Sequence, residues 1–513
     1  MMVPFNRHLQ GAMKQFRVPV TFVWVFSVFC FFHSYTKAQE TPTVLHLETV
    51  LQSVTSQYPP YLAALIERDI AQGHLRSAKG AFDFETFAKV FQNPTGFYES
   101  TTVEAGFEQF TGIWGSTVFG SYRWTDGLLP DYYPERRTDQ SGTPSIGFKL
   151  PLLRDGSIDK RRAAIAKARL EVELVNPLIQ RQLLDFAKAS SSAYLNWMKA
   201  GMNLQISEQM LELATMRTNA IQTRIVKGLS APVESIENRQ MVVSRQMSLI
   251  KARRAFESAA ITLSLFLRDS DDAPIKPTLA QLPSTWPQQV AVPEDILPTA
   301  WKYASANRPE IRYYNLEMEK LGVDTQLFEN QLNPRLDAYV AASESLGRSL
   351  YKDTGEFELK LGLEFRMPLE RNAAKGAVQA NQAKIDQLER RIGFALEKVF
   401  AEIDDSYSAL RAARDQLMLA SENQSLAADL RDIEADRFKW GATNLLSLQI
   451  REQRAFKANE SLIDAHYNYY RALAGFLIAS AIDFRGGEEV SAVLQTLASS
   501  LVTPSVTQFP TQN

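Results

Sequence analysis

Few residues in this chain of 513 could make or break bonds. Beyond residue 38 the histidines are His46, His74 and His466, far apart, without metal-ligand spacing and without a nucleophile motif beside them. The single cysteine, Cys30, follows Phe29, where a lipid-anchor site needs a small residue. Thiolate metal sites, disulfides and cysteine nucleophiles therefore drop out of the remaining chain. No enzyme and no cofactor is expected. His466, among Tyr467, Tyr469 and Tyr470, reads as aromatic packing. The chemistry left is that of charged side chains facing water.

Glu358, Lys360, Glu364 and Arg366 alternate with Leu359, Leu361, Leu363 and Phe365. That is a two-faced strand. So clean an apolar stripe opposite four charges suits a barrel wall with lipid outside and water inside. The alternative is a strand between protein and solvent. On the barrel reading the four charges line the lumen, Asp337 joins them from the preceding strand, and the four apolar residues face lipid. Leu361→Arg is expected to block barrel assembly, and Gly362→Ala is expected not to block it. Glu234 and Glu237, three apart, share one helical face. An ordinary solvated face is the plainer reading of that pair.

These strands need a frame. The opening residues carry Arg7, Lys14 and Arg17, then an uncharged run from Val18 to Phe32, then Thr36-Lys37-Ala38. This reads as a secretory signal over 1–38. No later stretch is long enough to span a bilayer as a helix, so membrane insertion must use strands. Without Arg7, Lys14, Arg17 and Lys37 the chain has 52 basic against 58 acidic side chains. Nothing in that balance suggests nucleic acid.

The chain aligns with itself. "LPLLRDGSIDKRRAAIAKA" at 150–168 matches "MPLERNAAKGAVQANQAKI" at 367–385, and "TRIVKGLSAPVESIENRQ" at 223–240 matches "DRFKWGATNLLSLQIREQ" at 436–453. The first repeat, 39–270, holds a short helix near 44–80, strands at 81–92 and 143–151, a long helix at 155–226 and a helix at 231–267. A linker covers 271–292. The second repeat, 293–480, holds a short helix near 293–331, strands at 334–344 and 357–367, a long helix at 375–439 and a helix at 444–480. The tail is 481–513. An insertion near 93–142 carries its own hairpin signal, and its place relative to a bilayer stays open.

A helix of about 70 residues is roughly 105 Å long, twice the short ones, so two short helices stacked end to end match one long helix. The seam of the second long helix runs through Ile385, Leu388, Ile392, Leu396, Val399, Ile403, Tyr407 and Leu410 in steps of three and four. Such spacing gives nearly straight helices. Asn176-Pro177 is expected to interrupt the first long helix with a kink or an unpaired carbonyl.

The repeated strand-Pro-Leu-helix junctions ("KLPLL", "FRMPLE"), "NRPEI", and the Arg-x-x-x-Gly turns ("RIVKGLS", "RFKWGAT") resemble those of the TolC-like outer membrane efflux proteins over about 44–480. The fold implied is mainly helical, with two tandem repeats, long antiparallel hairpins in an α-helical barrel, and four strands per chain in a shared trimeric twelve-stranded barrel. The function implied is a passive outer membrane conduit of a tripartite efflux or type I secretion system. Its partners would be two further copies, outer membrane lipid, a periplasmic adaptor and, indirectly, an inner-membrane pump.

The same resemblance assigns the tip turns, Gly228-Leu229-Ser230 and Gly441-Ala442-Thr443 with Trp440 beside the second, to adaptor docking. A helix cap followed by a capping hydroxyl is their structural role in any case. Family gates carry acids six and nine residues after the second tip glycine, where this chain has Ser447 and Ile450. Two forms stay open: a constriction at Ser447 and Ile450, or acids moved to Glu234 and Glu237. The competing function is a non-conducting exported coiled-coil scaffold, which has no use for the alternation at 357–367.

Overall fold

The computed structural model describes residues 44–482, apart from 128, 130–136, 229, 288, 290, 291, 294 and 352–355, together with residue 499. The signal reading, Leu229 and nearly all of the tail lie outside the described residues. In chain order the elements are α1 (Leu47–Gln57), α2 (Pro59–Lys79), β1 (Glu85–Asn93), β2 (Ser100–Phe110), β3 (Thr117–Gly127), β4 (Thr143–Pro151), α3 (Lys160–Val226) and α4 (Val233–Ser264). The second half follows with α5 (Ile296–Asn307), α6 (Pro309–Asn330), β5 (Arg335–Glu344), β6 (Phe357–Arg366), α7 (Asn372–Lys439) and α8 (Leu445–Ala479).

Both short helices expected from the sequence are broken by a proline. Tyr58 takes ψ 113° ahead of Pro59, and Arg308 takes ψ 126° ahead of Pro309, so each proline opens a new helix at a position where its missing N–H costs nothing. α3 begins at Lys160, five residues later than expected, because Asp159 caps it. The Asp159 carboxylate accepts from the amides of Arg161 at 2.7 Å and Arg162 at 3.0 Å, and from the Arg162 guanidinium at 2.6 Å. The helix then runs unbroken through the buried Pro177 to Val226. Asn176-Pro177 therefore does not end the helix, although Pro177 has no N–H to give the carbonyl of Glu173.

Two long helices organise the rest. α2 and α4 both lie on α3, α6 and α8 both lie on α7, and α3 also touches α6 and α8. The helices therefore form two continuous rows, α2-α3-α6-α7 on the strand side and α4-α3-α8-α7 on the tip side. The main core sits where the rows meet, around Trp197, Leu263, Ala300, Ile403, Tyr469 and Phe476. The inter-repeat segment contributes to it. Leu282 lies against Gly201, where a methyl group on the glycine would come within 2.8 Å of the leucine.

The strands form one antiparallel sheet in the order β1-β2-β3-β4-β5-β6. It has six strands where the sequence reading expected four. The insertion is not a loop: β2 pairs with β1 from Glu85↔Glu108 to Asn93↔Ser100, and β3 pairs with β4 from Thr117↔Lys149 to Arg123↔Thr143. β1 and β4 are thus separated by two strands instead of adjoining. Among the described residues no helix is long and apolar enough to cross a membrane.

Candidate functional site

The register of the sheet sorts its side chains into two faces. Leu359, Leu361, Leu363 and Phe365 of β6 are all exposed, Leu361 at 69%. Their partners on β5 are Ala342, Val340, Ala338 and Leu336. The same face continues through Ile146 and Phe148 of β4, Tyr122 of β3, Val103 of β2 and Val90 of β1. An exposed apolar band across six strands is far larger than a water-soluble sheet tolerates. On the other face Glu358 and Lys360 pair at 3.4 Å, and Glu364 and Arg366 at 2.6 Å. Arg123 meets Glu104 at 3.4 Å, with Lys89 opposite Glu104 on the next strand. Asp337 lies on this face but is only 1% exposed, held by Lys149 at 3.0 Å and Arg335 at 2.8 Å.

Aromatic rings cover glycines across the sheet. Phe87 lies over Gly106, Phe107 over Gly120, Phe119 over Gly147 and Tyr339 over Gly362, each pair directly opposite in the register. A glycine opposite an aromatic lets the ring lie flat and pins the strand register. A methyl group at 362 would overlap the Tyr339 ring, so Gly362→Ala displaces it.

At the opposite end of the long helices the chain reverses twice. Gly228 (φ 70°) and Gly441 (φ 72°) hold left-handed conformations, and open space surrounds the position of a Cβ at either, so backbone geometry rather than crowding requires them. The repeated arginine braces each turn. Arg224 donates to the Ser230 hydroxyl at 3.1 Å, and Arg437 donates to the Ala442 carbonyl at 3.4 Å and to Glu434 at 3.3 Å. Thr443 also donates to Glu434. Arg224 further lies 5.1 Å from the Phe438 ring and so ties one tip to the other. Trp440 is 84% exposed and takes no part in this bracing.

Above the tips, Glu234 and Glu237 are half-buried. One Glu234 carboxylate oxygen is shielded without a hydrogen bond among the described residues. Ser447 serves in the first turn of α8, its amide donating to the Asn444 side chain at 2.9 Å, and Ile450 is exposed. Sequence reasoning missed a buried ion pair nearby: Arg217 of α3 donates through both terminal nitrogens to Glu452 of α8, the second contact at 2.9 Å. Arg245 of α4 lies 5.1 Å from the Phe456 ring. Burial lowers its pKa from the ordinary value, opposed by the charges of Glu452 and Glu460. Asn238 of α4 donates to Thr218 at 2.9 Å and completes the polar layer. Arg217 and Glu452 stand 235 positions apart in different repeats, and no local spacing announces them.

His466 stacks parallel to Trp286 at 5.5 Å, and Trp286 stacks on Tyr470 at 5.6 Å. Burial pulls its pKa down from 6.5 to about 4. It is a packing residue. Among the described residues no cluster of histidines and acids is placed to hold a metal ion.

Residues 301–477 match the family model described as outer membrane efflux protein. A search of curated protein sequences finds no match. Solved structures with the same fold include CusC, at 13% identity and a TM-score of 0.61, covering 86% of this chain and 94% of that one. The Neisseria gonorrhoeae MtrE outer membrane channel in its open state gives 13% and 0.60, covering 85% and 89%. The Campylobacter jejuni CmeC outer membrane channel gives 13% and 0.59, covering 90% of each chain. The family model is matched across the second repeat, and the fold shared with these outer membrane channels runs through both repeats.

Proposed function

We propose that the protein is the outer membrane channel of a tripartite efflux or type I secretion system, with its sheet in the outer membrane and its helices forming a periplasmic tunnel. Three copies close the ring. Substrates pass passively, driven by an inner-membrane pump that reaches the tips through a periplasmic adaptor. The observation that carries this reading is a two-faced sheet continuous with long helices, both layers left with unpaired edges at matching ends. β1 and β6 are the free edges of the sheet; α2 or α4 and α7 are the free ends of the helix rows.

The free helices carry complementary stripes. On α4, Ile236, Val243 and Ile250 are exposed at eight, fifteen and twenty-two residues beyond Gly228; on α7, Ile433, Leu426 and Leu419 are exposed at eight, fifteen and twenty-two residues before Gly441. Placed side by side from different copies, the two stripes meet level by level. Contact of unlike surfaces through a rotation makes a closed ring. Trp440, Gly228, Ser230, Gly441, Ala442 and Thr443 would meet the adaptor, and Glu234, Glu237, Ser447 and Ile450 sit where a gate would form. A scaffold would gain nothing from the apolar band.

Fractionation with planar-bilayer recording tests the proposal. A detergent-dependent trimer from the outer membrane that conducts ions is expected. A salt-extractable, non-conducting protein would overturn it.

A further inference from the structure

Resting on the trimeric reading above, we infer that the inserted hairpin β2–β3 is part of the membrane wall, so that three copies build an eighteen-stranded barrel in place of twelve strands. Both strands are eleven residues long, the length a tilted strand needs to cross the hydrocarbon layer. Their alternation runs in phase with the rest of the sheet. Val103 and Tyr122 continue the outward band from Val90 to Ile146, while Glu104 and Arg123 face inward. A flap lying outside the barrel would need neither the length nor the two faces.

The hairpin is also fastened where wall becomes shaft. Its turn, between Phe110 and Thr117, seats Gly115 against the Asp155 carbonyl at the β4-to-α3 junction, and a side chain on that glycine would collide with the backbone. Arg161, in the first turn of α3, lies 3.4 Å from the Phe110 ring, and Gln109 donates to the Phe82 carbonyl at 2.7 Å. Six is an even number, so β1 of one copy and β6 of the next run antiparallel, as closure requires.

The consequence is a wide mouth. Barrel diameter grows about linearly with strand number, so eighteen strands give about 1.5 times the diameter and about twice the cross-section of twelve. Twelve helices spaced about 9 Å apart have a perimeter of about 110 Å. Eighteen strands at about 4.8 Å and a tilt of about 40° also give about 110 Å, against about 75 Å for twelve. The conduit therefore keeps the bore of its helical shaft through the membrane. It suits bulky hydrated cargo, such as folded or partly folded polypeptide, at its outer opening.

The test uses the full mature chain, which has no cysteine beyond Cys30. Val103→Cys and Ala105→Cys on β2, Glu104→Cys on its other face, and Leu361→Cys on β6 are each labelled with an environment-sensitive fluorophore. The proteins are reconstituted with brominated phosphatidylcholine, and copy number is read by native mass spectrometry. Expected are three copies, about twofold quenching at 103 and 105 equal to that at 361, and none at 104. Quenching at 361 without quenching at 103 and 105 would overturn the eighteen-stranded wall while leaving the conduit intact. Loss of quenching at all outward sites would sink both readings, and any copy number other than three would refute the strand count.

Discussion

The sheet and the tip-side shaft use similar side chains in opposite senses. In β6 the leucines lie exposed on one face and the charges on the other; in the shaft, Leu410, Leu417 and Leu448 are buried between helices while most charges are on the surface. Exceptions include the ion pair Arg217–Glu452, shielded between α3 and α8, and Arg245 buried beside it. Solvent explains the contrast. On the proposed function, a wall facing lipid has nothing to gain from hiding leucine, whereas a shaft in water must hide it. A charge moved to the wrong side should then be costly in the wall, and an apolar side chain left on the shaft should mean another surface covers it.

The largest expected effect is at the wall. Leu361→Arg should cost about 2–4 kcal/mol near mid-bilayer and remove the trimer from the outer membrane on a native gel. Gly362→Ala, one residue along on the inner face, should lower the yield without abolishing it, because only the Tyr339 ring must move. Equal yields for the two would erase the distinction between faces.

In the shaft, Glu452→Gln leaves Arg217 buried without its counter-charge and should cost about 3 kcal/mol. Thermal unfolding in detergent reads the loss, and Arg217→Met combined with it should recover much of the stability. At the tip, Gly441→Val forces a β-branched residue into a left-handed conformation and should cost about 1–2 kcal/mol, seen as a lower melting temperature. Trp440→Ala should leave that temperature unchanged and weaken capture of an adaptor hairpin. A drop in melting temperature would instead make Trp440 a packing residue.

The smallest effect is at the aromatic stack. His466 is held neutral down to about pH 4, whereas in the unfolded chain it protonates near 6.5. Between those values the unfolded state takes up a proton that the folded state refuses, so stability falls as pH drops through the window and is constant above it. Allowing for its partial exposure, the loss is about 1–2 kcal/mol. His466→Phe should flatten that part of a melting-temperature profile.

Much of this frame was legible from periodicity. The buried Leu388, Val399, Ile403 and Leu410 follow the steps of three and four along α7, and the alternation of β6 is visible residue by residue. The missing knowledge concerned partners. The insertion's alternation announces a hairpin but not which strands it lies between, because pairing is set by tertiary contact rather than local spacing. Pro59 and Pro309 were in plain view, yet whether a proline ends a helix or sits inside one depends on its surroundings, as the unbroken α3 at Pro177 demonstrates. The candidate tip and gate residues came from likeness at the turns, whereas Arg217 and Glu452 left no trace in either repeat.

The most direct measurement joins two copies through the shaft. In the double variant Ile250→Cys/Leu419→Cys, two side chains twenty-two residues from the tip glycines of different hairpins become the only thiols of the mature chain. Oxidation of the outer membrane fraction should yield covalent trimers by way of dimers, with either single variant remaining monomeric on the same denaturing gel. If the double variant stays monomeric after complete loss of free thiol, α4 meets α7 within a single chain or not at all, and the protein is not one third of a ring.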